Sequence, residues 1–71
     1  MKKEDIILLT KKLDKNKLVH ITLETKRFYN GIIMSFEDDD MLSFNDIKLG
    51  YLDILYSQII AIEPYKEKNY E

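Results

Sequence analysis

Four consecutive carboxylates, Glu37, Asp38, Asp39 and Asp40, are the densest set of cation-binding side chains in this sequence. A calcium loop of the EF-hand type needs oxygen ligands at alternating positions, a central glycine and a glutamate at its twelfth position. The residues after Glu37 offer no such pattern, so the run reads as an exposed acidic turn, with no metal and no cofactor expected. The single histidine, His20, stands in a regularly alternating segment with no nucleophile beside it, Thr22 being only its same-face neighbour. Gly31 and Gly50 are isolated and make no phosphate-cradling loop. The sequence therefore points away from an enzyme and toward recognition. Of its five tyrosines, Tyr29 and Tyr56 fall near strand bends or turns. There a ring can serve as a stacking platform for an unpaired base. The same places also suit a ring packed against a neighbouring strand. Phe28, Phe36 and Phe44 keep an inward phase and are expected in the core.

These side chains have to be positioned by short elements. From Lys3 to about Leu13, Ile6, Leu9 and Leu13 repeat at helical spacing, with Ile7 and Leu8 widening the apolar stripe. Glu4 and Asp5 in the first turn and Lys11 and Lys12 in the last suit the helix dipole. Residues 14–17 break the pattern and form a connection. Val19, Ile21 and Leu23 then alternate with His20, Thr22 and Glu24, which predicts a half-buried strand. Thr25-Lys26 is a tight turn. A long second strand, Arg27 to Glu37, places Phe28, Ile32, Met34 and Phe36 in phase around Gly31, a glycine that permits a sharp bend. Met41 to Ile47 is a third strand with Leu42 and Phe44 inward. Two short strands, about Tyr51–Tyr56 and Ile59–Glu63, are apolar on both faces. Such strands suit edges that pair with neighbouring subunits, through Ile54, Tyr56, Ile59 and Ile60. The order predicts a mainly β protein: an N-terminal helix, then a strongly bent five-stranded antiparallel barrel.

The chain has 71 residues, one domain's worth, with the helix over about 3–13, the barrel over about 18–64 and a short polar tail over 65–71. A domain of this size buries only about 60% of its unfolded surface, so its core is marginal. It has no cysteine, which removes disulfides and thiolate metal sites, while 45% of its residues are hydrophobic. Oligomerisation is the remaining source of burial. No apolar run approaches the roughly 20 residues of a membrane span, and Glu4 and Asp5 disrupt any signal peptide, so a soluble, cytoplasmic protein is expected. Net charge is −2, but it is unevenly spread. Residues 1–27 carry eight Lys/Arg against four Asp/Glu, and residues 28–64 carry one against seven. That polarity gives a folded particle one basic region able to attract phosphate, unless it is ordinary surface asymmetry.

The sequence also resembles the Sm-like (LSm) family of ring-forming RNA-binding proteins. The family's first motif runs apolar-x-apolar, a polar turn, aromatic-x-Gly, then Phe-Asp, four residues and Leu-x-Leu-x-Asp. Here it is met without a gap by Ile21, Leu23, Tyr29, Gly31, Phe36, Glu37 in place of Asp, Leu42, Phe44 in place of Leu, and Asp46. The second motif is partly met by Ile54, Ile59 and Ile62. Leu55 and Tyr56 replace the Arg-Gly of eukaryotic-type members, and Tyr56-Ser57-Gln58-Ile59-Ile60 with Pro64 after it is similar to the Hfq branch, including archaeal Hfq-like proteins.

The resemblance implies a closed ring, a hexamer rather than a heptamer, that binds single-stranded U- or A-rich RNA as an RNA chaperone or post-transcriptional regulator. It places Asp39, Met41, Tyr56, Ser57 and Gln58 on loops beside the pore. Thr22, Lys26, Arg27, Tyr29 and Asn30 fall on the opposite face, where purine-rich RNA lies in Hfq. The departures fall at the pore: Asp39 stands where Hfq has a uracil-stacking aromatic, and Ser57-Gln58 replaces Lys-His. Carboxylates there repel phosphate. A structural or protein-interaction ring without RNA, or a monomeric SH3-like adaptor, is the alternative.

Overall fold

The computed structural model describes residues 1–13 and 18–65. The expected connection at 14–17 and the tail from residue 66 onward lie outside the described residues. A helix, α1 (Lys3–Lys12), precedes strands β1 (Val19–Leu23), β2 (Phe28–Ser35), β3 (Met41–Asp46), β4 (Gly50–Leu55) and β5 (Ile59–Pro64), with one 3-10 turn, Tyr56–Gln58, before β5. The sheet order is β4-β3-β2-β1-β5, and every neighbouring pair is antiparallel. β4 and β5 stand at opposite ends and do not pair, so the expected barrel is an open sheet in the single chain. The cause is local. Three residues of 3-10 turn carry the chain away from β4, and β5 crosses to β1, with Ile21 opposite Ile62.

β1 and β3 follow their alternation: Val19, Ile21, Leu23, Leu42 and Phe44 are all buried. β2 does not follow the expected phase. Phe28 and Met34 are exposed, 58% and 50%, while Tyr29 and Ile33 pack on the core. The register shifts between Ile33 and Ser35 against β3, so one extra residue sits in β2 and the inward face moves from Ile33 to Phe36. Gly31 lies before that bulge, and its backbone φ is not in the left-handed region. What requires glycine there is proximity: an added Cβ would lie 2.0 Å from the Asn45 carbonyl oxygen. Outward on β4 stand Tyr51 and Leu55, with Asp53 between them, and Ile60 is exposed on β5.

α1 ends at Lys12, one residue before expected, with Leu13 as its C-cap. Ile6 is fully buried, and Leu9 and Leu13 pack against the same core. Leu8 is 58% exposed and does not widen the stripe. Two positions on from Ile6 is about 200° around a helix, on the far side.

The β1–β2 turn closes through Lys26 N–H donating to the Leu23 carbonyl (2.9 Å) and Leu23 N–H donating to the Arg27 carbonyl (2.8 Å). Lys26 takes φ 72°, the left-handed region that costs a β-carbon residue roughly 1–2 kcal/mol. Glycine would lose roughly 0.5–1 kcal/mol of that gain to chain entropy. Lys26→Gly should therefore raise stability by about 0.5–1 kcal/mol, read as a higher thermal midpoint; a lower midpoint would show that the lysine side chain contributes more than the strain costs.

Candidate nucleic-acid interface

The β1–β2 hairpin and the β3–β4 turn meet at one end of the sheet. His20 and Thr22 point away from the core on β1, opposite Asn30 and Phe28 on β2. The His20 imidazole Nδ1–H donates to Asn30 Oδ1, and the His20 and Phe28 rings lie 5.0 Å apart at 34°. Lys26 and Arg27 are exposed at the turn itself. Phe28, Ile47 and Leu49 rim a cavity of about 260 Å³ with Asn30 and Asp46 inside it.

Asp46 orders that end of the molecule. Only 7% exposed, it accepts from Asn30 N–H (3.0 Å), Lys48 N–H (2.9 Å) and Leu49 N–H (2.9 Å). Burial alone would raise its pKa. The three backbone donors, helped by the charge of Lys48, outweigh that and hold it below the ordinary value of 3.8. The carboxylate thus fixes both the turn and the start of β2. Its place before Ile47-Lys48-Leu49-Gly50 is a sequence signal, since Asp readily bonds backbone N–H groups two and three residues on.

Of the opposite-face candidates, Tyr29 and Asn30 line this cavity, Thr22 stands opposite Phe28, and Lys26 and Arg27 are exposed at the neighbouring turn. Tyr29 is half-buried against the core and Phe28 is the exposed aromatic. Phe28, expected in the core with the other even-numbered residues of β2, faces outward instead.

The pore-side candidates form a separate group. Asp39 is exposed in the acidic turn, Ser57 is exposed, and Met41 and Gln58 are half-buried. Tyr56 is 4% exposed, with its hydroxyl donating to the Asp38 carbonyl (2.9 Å) and its N–H to the Asp40 carbonyl (3.0 Å). It is a post that pins the acidic turn, not an open stacking surface in the single chain. Burial pushes its pKa up; Lys3 opposes that, and Asp38 and Asp39 add to it. Asp40 N–H donates to Asp38 Oδ1 (2.8 Å), tightening the turn further. The Met1 ammonium donates to the Tyr56 and Ile59 carbonyls at 2.9 and 2.7 Å, which brings the start of α1 over the same region.

The four interface candidates divide in the same way. Ile54, Tyr56 and Ile59 are buried in the chain's own core at 2%, 4% and 1%, and only Ile60, 57% exposed, is free to face another copy. A lysine at Ile59 would therefore be buried inside the subunit and would disrupt folding before assembly.

The architecture is that of a small, mainly β protein, an N-terminal helix followed by an open five-stranded antiparallel sheet. No family model matches the chain, and no curated protein or solved structure matches it. No helix among the described residues is long and apolar enough to cross a membrane.

Proposed function

We propose that this chain is an Sm-like, Hfq-like protein of the cytoplasm that assembles as a ring, a hexamer, and binds single-stranded RNA without catalysis. The observation that carries the reading is the exposed Phe28 ring, set against His20 and flanked by Lys26, Arg27 and the Asn30 amide. An aromatic face beside two cations and a hydrogen-bonding amide suits an unpaired base and its phosphate. The two unpaired edges, β4 and β5, support the ring. Tyr51 and Leu55 on one and Ile60 on the other leave apolar surface beside each.

The test is native mass spectrometry of the full chain with and without oligoadenylate, joined to fluorescence anisotropy. A ring mass is expected, and Phe28→Ala should weaken oligoadenylate by about 1–3 kcal/mol. A stable monomer at micromolar concentration would overturn the ring. An unchanged affinity after Phe28→Ala would move the site elsewhere. A ring with no affinity for any single strand at low salt would favour the structural or protein-interaction alternative.

A further inference from the structure

A cleft of about 500 Å³ separates the first turn of α1 from the acidic turn, with Met41 and Leu55 as its apolar floor and Ser57 at its side. Across it Lys3 Nζ lies 3.3 Å from Asp39 Oδ1. The two partners are unequally held. The Lys3 side chain is 23% exposed, the Asp39 side chain 97%. Tyr56 bonds the carbonyls of Asp38 and Asp40, which fixes the backbone on both sides of Asp39 and leaves only its side chain free to leave. The Lys3 side chain is thus the more enclosed of the two, and it reaches the cleft that Asp39 borders.

Resting on the RNA reading above, we propose that Lys3 is a phosphate-binding residue of this cleft and that Asp39 is its built-in competitor. Asp39 occupies Lys3 in the free protein, and the backbone phosphate of a single strand replaces it. An exposed pair of this kind is worth about 0.2–1 kcal/mol, a factor of up to about five, so a phosphate can displace the carboxylate. The pair therefore lowers the affinity of the cleft for a strand by up to that factor, and only the Asp39 side chain has to move. Lys2 is exposed at the same cleft, and Glu4 and Asp40 also line it. Neither carboxylate is paired with Lys3 among the described residues.

The test is a double-mutant cycle of Lys3→Gln and Asp39→Asn on the full chain, with oligouridylate as the probe. Asp39→Asn should raise affinity by up to about fivefold. Lys3→Gln alone should weaken affinity, but by up to about fivefold less than on the Asp39→Asn background, because in the unmodified chain part of the lysine–phosphate attraction goes into displacing Asp39. On the Lys3→Gln background the gain from Asp39→Asn should largely vanish. An equal gain on both backgrounds would mean that Asp39 acts only through its general field, and the competition would be overturned. A parallel cycle in thermal unfolding, with no RNA present, separates the two levels of the argument. Zero coupling there overturns the pairing itself. Coupling of the pair with no oligouridylate affinity in any variant overturns the RNA reading, and the Lys3 assignment with it.

Discussion

Gly31→Ala should cost the protein about 3 kcal/mol or more, read as a urea midpoint far below that of the unmodified chain. The added methyl carbon would stand 2.0 Å from the Asn45 carbonyl oxygen and 2.9 Å from the Asp46 Cα, both backbone atoms. Neither can turn aside as a flexible side-chain end would. β2 is held between β1 and β3 at that point, with Gly31 opposite Val19 on one side and Asp46 on the other. Relief would require breaking one of those pairings. Overpacking of this severity costs about 3 kcal/mol or more. A chain of 71 residues has roughly 4–10 kcal/mol in all. Gly50→Ala is the control. Gly50 has φ +81° with open space around the missing Cβ, so its substitution carries backbone strain alone, about 1–2 kcal/mol. If the two variants lost equal stability, close approach at Gly31 would not be its role.

Asp46→Ala should be the second large loss, about 2–3 kcal/mol, because three part-buried backbone N–H groups would lose their shared charged acceptor. Asp46→Asn keeps one acceptor oxygen and should cost less. The carboxylate also makes stability depend on acid. Its pKa is lower folded than unfolded, so the unfolded chain holds the proton more tightly. The contribution is complete above the ordinary value of 3.8 and is lost as pH falls through the lower folded value. Urea midpoints measured from pH 7 to pH 3 should fall more steeply for the unmodified chain than for Asp46→Asn. Parallel curves would show that other carboxylates govern the acid response.

Much of this architecture was legible because the strands are short and regular. β1 and β3 alternate every second residue, and Ile21, Leu42 and Phe44 are buried as their spacing implies. The helix was legible from Ile6, Leu9 and Leu13, and its charged ends agree with its limits. β2 was not legible in phase. Its bulge after Ile33 adds a residue without a marker in the sequence, and apolar side chains stand on both of its faces. Phe28 and Met34 were expected in the core for that reason, and both are exposed. The acidic turn was visible as an exposed run, but the post that holds it was not. Tyr56 reaches the Asp38 carbonyl across 18 residues of chain, and no local pattern announces a bond of that span. That the last two strands stand at edges was legible from their two apolar faces, but not that β5 joins β1, which the path of the chain through the Tyr56–Gln58 turn decides.

The two terminal strands of the sheet are different strands, so in the proposed ring β4 of one copy would meet β5 of the next, and each added copy would cover one edge while presenting another. Growth by such steps never removes the last pair of open edges unless the rotation per copy divides a full turn. When it does, the final contact forms without recruiting a further molecule, and partial arcs are less stable than the completed circle. The size distribution is then close to all-or-none. When it does not, the same contact produces a helical fibre of unlimited length. If copies of this chain join in that way, a few degrees of change in how one sits on the next, from a substitution near Tyr51 or Ile60, would separate a particle of fixed mass from a polymer.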